Sequence, residues 1–402
     1  MKAAQGCKLF GAYEALSGIQ DSVVLLHSVV GCNFGTMAFH AACDMAHIRQ
    51  TCTVISDTEV VFGGEKSLKK ALAYVEELFQ PKVIFVITGC ISDMIQDDVR
   101  SVAQSHKGAA EVVFVEAAGY RGKMKEGQEA AMKALTDLAE VPVIFSKGDS
   151  KKVILAGLGA DDFCLAGDTK ALQKLAGEKI DLRVLANTSA EELKKAASAD
   201  LILTVGYGEA YGKRMNQKYG IPWKALDYPY GLTGAQEMWK ILGEHFGDID
   251  SAWKAAYEKA EDTFRKHTGE TLSKVYSYLQ ALYSMPAAVI GTASRCRGMK
   301  RFLEQELGME VVVCEEREQI TDLEYFYAQV RQSEAAVLFG SSFEKELAEE
   351  LEIPLVRFDY PVFDRLSLSG RCYVGEEGSL CLVEDILNEI MAARNRKGAL
   401  YQ

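Results

Sequence analysis

The chain has 402 residues, too many for one ordinary hydrophobic core, and with 48% hydrophobic and 25% charged residues it reads as folded rather than disordered. A net charge of −12 argues against nucleic acid or an anionic membrane as the main partner. No stretch reaches the roughly 18 to 20 uninterrupted apolar residues of a bilayer span, and the start, Met1 to Cys7, lacks the apolar core of a signal peptide, so the expected location is the cytoplasm.

Apolar strand-like runs alternate with helical patterns along the whole chain, which is the pattern of α/β domains with mostly parallel sheets. The first unit, residues 1–150, has predicted strands at Val23 to Val30, Val83 to Ile87 and Val112 to Val115. Ser67 to Phe79 reads as an amphipathic helix with Leu68, Ala71, Val75 and Leu78 on one face. Three short segments of this unit each carry a cysteine at an element boundary: Gly6-Cys7-Lys8-Leu9-Phe10-Gly11-Ala12, His27-Ser28-Val29-Val30-Gly31-Cys32 and Ile87-Thr88-Gly89-Cys90. Cys32 and Cys90 each follow a glycine after an apolar run, and in a parallel sheet that is the carboxyl end of a strand, where sites collect. Three thiolates meeting there suit an iron–sulfur cluster, because soft sulfur ligands hold iron and the fold can supply the geometry. A free cysteine is equally at home as core filler; the sequence around these three favours the cluster. Ten cysteines in a reducing compartment are expected as thiols, and none forms a CxxC pair, so a zinc ribbon or thioredoxin-type site is unsupported.

The second unit, 151–250, runs from Val153-Ile154-Leu155-Ala156-Gly157-Leu158-Gly159 through Arg183-Val184-Leu185 and Leu201 to Gly206, ending near Gly220-Ile221-Pro222-Trp223. Gly157 and Gly159 imitate a dinucleotide fingerprint, but its third glycine position is Asp162, whose carboxylate would repel a pyrophosphate. Residues 251–285 read as a helical connector, with Trp253, Tyr257 and Phe264 spaced along it. The third unit, 286–402, has predicted strands at Ala287 to Gly291 and Glu310 to Val313, then Ile353 to Arg365 and a terminal helix. Cys164, Cys296, Cys314, Cys372 and Cys381 read as small buried hydrophobes, whereas Cys43 and Cys52 stay open as neighbours of a cluster. His27 is expected to be packed and hydrogen-bonded, and Asp97-Asp98 to cap a helix.

The three cysteine segments, together with Val61-Phe62-Gly63-Gly64-Glu65, Pro81 leading to Thr88-Gly89-Cys90, and Ile95-Gln96-Asp97-Asp98-Val99, match in order and spacing a known family. Along its whole length the chain resembles the component 1 proteins of nitrogenase and their relatives. The resemblance implies three doubly wound, mostly parallel-sheet, Rossmann-like domains around a central junction. It implies that Cys7, Cys32 and Cys90 are the metal and cofactor ligands of an iron–sulfur cluster at a subunit interface, of the eight-iron P-cluster type or a four-iron cluster. Pro229-Tyr230-Gly231-Leu232, and Pro354-Leu355-Val356-Arg357 through Pro361-Val362-Phe363-Asp364-Arg365, look like the β-type subunit. Gly206 stands where the α-type subunit has a cofactor-anchoring cysteine, and Asp359-Tyr360-Pro361 offers no histidine, so a FeMo-cofactor-like cluster is expected in the partner. The family's hydroxyl ligand falls in Tyr120-Arg121-Gly122-Lys123, where Lys123 has no oxygen to offer.

The partners implied are an α-type subunit, in an α2β2 heterotetramer, and an ATP-hydrolysing iron protein as electron donor. The absence of a GxxxxGKS or GxxxxGKT loop agrees that ATP is handled elsewhere. The implied function is electron relay in a nitrogenase-like oxidoreductase whose substrate is small and hard to reduce, such as dinitrogen or a methylthio-alkane. A homodimeric tetrapyrrole reductase similar to nickel-sirohydrochlorin reductive cyclase, and a cofactor-assembly scaffold, are the alternatives.

Overall fold

The strands of the chain's first unit are near-continuous runs of Val, Ile, Leu and Phe, as strands covered on both faces must be. In the computed structural model they pair into the first of three four-stranded parallel sheets. The structure describes residues 6–39, 49–140, 150–247, 282–320, 322–367 and 370–396, with isolated positions 262, 266, 270 and 273. Cys43 and nearly all of the predicted connector over 251–285 lie outside the described residues.

The first sheet contains β1 (Ser22–His27), β2 (Gln50–Cys52), β3 (Val83–Thr88) and β4 (Glu111–Val115), in the order β2-β1-β3-β4. The second contains β5 (Lys151–Ala156), β6 (Ile180–Val184), β7 (Leu201–Thr204) and β8 (Trp223–Ala225), in the order β6-β5-β7-β8. The third contains β9 (Pro286–Gly291), β10 (Glu310–Glu316), β11 (Val337–Gly340) and β12 (Leu355–Arg357), in the order β10-β9-β11-β12. Every strand pair in them is parallel. The winding is the same each time, and it reverses between the first and third strands of each sheet. That is the switch point where doubly wound sheets bind ligands.

The chain divides into two compact units, residues 1–161 with 178–225, and residues 162–177 with 226–402. In the first, alternate side chains of β1 and β3 face opposite ways, as the two-residue period of a strand requires. Val24, Leu26, Phe85 and Ile87 join one buried cluster, which includes Leu9, Tyr13 and Leu16. Val23, Leu25, Ile84 and Val86 join another, closed by Leu68, Leu72 and Val75. Each of these buried aliphatic side chains contributes about 1.5–3 kcal/mol. The helix over Glu65–Phe79 therefore turns Leu68, Leu72 and Val75 inward, and Leu78, expected on that face, is 74% exposed.

Two further expectations change. β1 ends at His27, because the chain bends at Ser28 and enters a helix at Val30, so Cys32 sits in a helix rather than at the end of a strand. β2 and β11, three and four residues long, went unrecognised in the sequence. Among the described residues no helix is long and apolar enough to cross a membrane.

Candidate metal centre

Five helices and a short turn of the first sheet position the candidate ligands: α1 (Lys8–Ser17), α2 (Val30–Phe39), α3 (Asp57–Phe62), α4 (Glu65–Phe79) and α5 (Cys90–Met94), with the turn Gly119–Arg121. Cys7 is the N-cap of α1, Cys32 lies in the first turn of α2 and Cys90 is the first residue of α5. α2 follows β1 and α5 follows β3, so Cys32 and Cys90 stand on the two sides of the first sheet's switch point. Cys7 reaches the same place because α1 is seated backbone to backbone on the helix Met124–Leu135. A Cβ on Gly11 would lie 1.9 Å from the Met124 carbonyl oxygen, and one on Gly127 would lie 1.8 Å from that of Lys8. Lys8 also donates its N–H to the Gly122 carbonyl at 3.1 Å.

All three thiols are free and half-buried. Burial pushes the Cys7 thiol up, the N–H groups of Phe10 and Leu9 pull it down, and the neighbouring Cys90 and Cys32 raise it further. Gly119 keeps the ground between two of the sulfurs clear: a Cβ there would stand 2.8 Å from Cys7 Sγ and 3.3 Å from Cys90 Sγ. Beside Cys32, a Cβ on Gly31 would meet nothing within 4 Å. Among the described residues no three His, Cys, Asp or Glu side chains close on one point as the ligands of a single ion do. Ligands of an iron–sulfur cluster each hold a different iron and stand farther apart, and the Cys7 and Cys90 sulfurs beside the space at Gly119, with Cys32 near enough to act on the Cys7 thiol, fit that donor set.

The loops that carry the thiols are tied together beneath them. His27 is fully buried, with Nε2 2.9 Å from Asp97 Oδ2 and Nδ1 3.0 Å from Thr53 Oγ1. Asp97 also accepts the Gly64 N–H at 2.8 Å, and Ser92 Oγ donates to the His27 carbonyl at 2.7 Å. Burial lowers the His27 pKa, with Asp97 opposing, so the imidazole is neutral and structural, as expected of a packed histidine. Of the Asp97-Asp98 pair only Asp98 caps a helix, accepting the Ser101 N–H at 3.0 Å. At the rim Arg121 bonds Asp93 at 2.8 Å, and the Tyr120 hydroxyl donates to the same carboxylate. Lys123 meets Cys7 through its backbone, in an isolated bridge.

The thiol-bearing helices α2 and α5 expose large apolar side chains, Val30, Phe34, Met37 and Met94, and so do α3, with Val61 and Phe62, and the turn carrying Tyr120. Phe62 is 84% exposed. So much uncovered apolar surface around one site marks an interaction face.

The other two switch points are filled. Between β5 and β7 the backbone itself closes the space: a Cβ on Gly157, at φ +104, would lie 1.8 Å from the Val205 carbonyl oxygen. Between β9 and β11 side chains fill it, Arg317 pairing with Glu344 at 3.0 Å while Thr292 donates its N–H and hydroxyl to Asp359 at 2.8 and 3.1 Å. Buried Arg295 pairs with Asp162 at 2.8 Å and lies 4.0 Å from the centroid of the Tyr228 ring. Burial pushes Asp359 up to about 6 against the pull of Arg295 and Arg317, and Asp168 up to about 7 against hydrogen bonds from Tyr228 and the Tyr373 N–H. Asp162, the residue that spoiled the dinucleotide fingerprint, thus serves a buried ion pair.

Of the remaining cysteines, Cys52 lies near Cys32, but its thiol donates to the Ser28 carbonyl at 3.3 Å and its sulfur accepts the Val54 N–H at 3.4 Å. Cys164, Cys296 and Cys372 are buried as expected; Cys314 and Cys381 are only half-buried. Sequence reasoning overlooked Gly119, whose single signal was the run of small residues Ala117-Ala118-Gly119.

A family model described as nitrogenase component 1 type oxidoreductase matches residues 7–391. The nitrogenase molybdenum-iron protein beta chain of Methanococcus maripaludis is 24% identical over 96% of this chain and 93% of its own length. The corresponding alpha chain of Methanosarcina barkeri is 27% identical over 77% of this chain and 59% of its own. The iron-molybdenum cofactor biosynthesis protein NifE of the same organism is 27% identical over 77% and 69%. In a solved structure, nitrogenase Cp1 at pH 6.5, one chain superposes with a TM-score of 0.78 at 21% identity, over 98% of this chain and 94% of that one. At that identity the likeness concerns the fold.

Proposed function

Because the chain belongs to the nitrogenase component 1 type oxidoreductases, we propose that it is the β-type subunit of a nitrogenase-like reductase and that Cys7, Cys32 and Cys90 hold its share of an interfacial iron–sulfur cluster. The observation that carries the reading is the pair of sulfurs, from Cys7 and Cys90, sharing the space that Gly119 leaves clear, with Cys32 close by. A cluster bound there, of eight irons or four, supplies one-electron transfer. The chain's own residues would present three thiolates, shield them by burial on one side and fix their spacing through the His27–Asp97–Gly64 tie.

The exposed apolar side chains on α2 and α3 support an α-type partner covering the thiol face, as the likeness to a beta chain suggests. Gly206, at φ +49, has no donor side chain for a second metal cofactor, which supports substrate reduction in that partner. The donor would be an ATP-hydrolysing iron protein, the substrate dinitrogen or another small, hard-to-reduce molecule such as a methylthio-alkane, and the assembly an α2β2 heterotetramer in the cytoplasm. The similarity to NifE favours one second reading, a cofactor-assembly scaffold.

The experiment is anaerobic purification of the full chain with whatever co-purifies, followed by counting iron and sulfide. Cys90→Ala is expected to strip or convert the cluster and abolish electron transfer; unchanged iron content and activity remove Cys90 from the site. A cluster-loaded complex that never reduces substrate with the iron protein and ATP turns the assignment to the scaffold.

A further inference from the structure

The helix that carries Cys32, α2, turns Val30, Phe34 and Met37 to the outside, and a Cβ on Gly31 would meet nothing within 4 Å. Where the thiol points is therefore decided on the inner side of the helix. One contact there is apolar: a Cβ on Gly35 would stand 2.9 Å from Phe10 Cζ, so α2 lies close against a ring of α1, the helix that Cys7 caps. Apolar contact holds two surfaces together without fixing their register.

The edge strand β2 supplies the directional part. Gln50 Nε2 lies 2.6 Å from Thr36 Oγ1, 2.8 Å from Asn33 Oδ1 and 3.1 Å from the Asn33 carbonyl oxygen, so its two protons serve three acceptors in the first two turns of α2. Thr36 is buried and carries the hold back to the thiol's own residue, its hydroxyl lying 2.9 Å from the Asn33 carbonyl oxygen and 3.2 Å from that of Cys32. Cys52 stands two residues along β2 and so on the same face. Its thiol donates to the Ser28 carbonyl at 3.3 Å. One face of β2 thus grips the chain both before and after Cys32.

The clamp has a fixed reference. Gln50 pairs with Val24 and Cys52 with Leu26 of β1, the strand that leads into α2. Any rotation of α2 about its axis would break the bonds to Gln50 and leave a buried hydroxyl and a carboxamide unpaired, which costs more than each bond contributes when made.

We propose that Gln50 is a positioning residue of the metal centre: acting through Asn33 and Thr36, it sets the rotation of α2 and so the direction of the Cys32 thiol. The inference rests on the reading of Cys7, Cys32 and Cys90 as cluster ligands.

The test uses the full chain with its co-purifying partner, prepared anaerobically, and compares the parent with Gln50→Leu and Thr36→Val, which keep most of the side-chain bulk and remove the donor or the acceptor. Loaded with iron and sulfide, each variant is expected to give an electron paramagnetic resonance spectrum of the reduced cluster that differs from the parent's. Each should also release iron to a chelator about tenfold faster, as the loss of about one such bond allows. In the iron-free chain iodoacetamide should label Cys32 faster relative to Cys7 and Cys90, read by mass spectrometry after digestion. A parental spectrum, iron release and labelling ratio in both variants overturn the inference. A lower melting temperature with all three thiols labelled faster in the same proportion does so too, because that is general loosening. A parent chain that takes up no iron instead overturns the ligand reading beneath it. Thr36→Val decides the matter if Gln50→Leu does not fold.

Discussion

Replacing Gly119 by alanine tests the metal centre without touching a ligand. The added methyl would lie 2.8 Å from Cys7 Sγ, 3.2 Å from Cys7 Cβ and 3.3 Å from Cys90 Sγ. Unstrained contacts lie at about 3.5–4.0 Å, so both thiols must turn aside. In the metal-free chain each sulfur can do so by rotating about its Cα–Cβ bond, because both are half-buried rather than locked in the core, and the 3.2 Å contact with Cys7 Cβ asks the backbone to give by only a few tenths of an ångström. With the thiolates fixed on iron that escape is lost, and overpacking of this kind costs about 1–3 kcal/mol. Spent entirely on the bound state, that weakens retention by about 5- to 150-fold. The assay is iron per chain after timed exposure to a chelator under anaerobic conditions, beside thermal unfolding of the iron-free protein. Iron should leave Gly119→Ala faster while the iron-free melting temperature stays close to the parent's. Parental iron retention in the variant would refute the placement of Cys7 and Cys90 around one group.

The buried imidazole gives a pH dependence. His27 is held below its ordinary pKa by burial, so between that lowered value and about 6.5 the unfolded chain binds a proton that the folded chain does not. Stability from this group is therefore complete above about pH 6.5 and is lost as pH falls toward the lowered pKa, by up to about 1.4 kcal/mol per unit. His27→Gln should flatten that part of the profile in urea titrations between pH 5 and 7.5, and identical slopes for parent and variant would sink the claim. Arg295→Ala would remove the cation that pairs with buried Asp162 and one of the two that face buried Asp359, at a cost of about 3–5 kcal/mol. A fall in the urea midpoint with iron per chain unchanged is expected; a loss below about 1 kcal/mol would mean the network is not what holds the third sheet's switch point.

How much of this could be read beforehand depends on the range of each interaction. The central strands β1 and β3 were legible because a strand covered on both faces is apolar at every position. β11 was not, since four residues, Val337-Leu338-Phe339-Gly340, do not separate a strand from a buried stretch of helix. The sequence pattern carries Cys32 to a strand end because Val29 and Val30 continue the apolar run across a bend that only the fold reveals. The aspartate pair shows the divide most clearly. Asp98 caps the residue three positions on, a local rule the sequence carries, whereas Asp97 bonds a histidine 70 positions back. The clearance at Gly119 is equally a matter of three-dimensional neighbourhood.

The repeated winding has a consequence for how such a chain could acquire new chemistry. Each sheet offers a socket at the equivalent place, and what distinguishes them is the stopper. In the second sheet the stopper is main chain, Gly157 against Val205, which no side-chain replacement can withdraw. In the third it is built from removable parts, Arg317, Glu344 and Asp359, so trimming them in concert would hollow out a polar chamber already furnished with hydrogen-bonding groups. Drift or design seeking a second reaction centre on this scaffold would find the shorter route there.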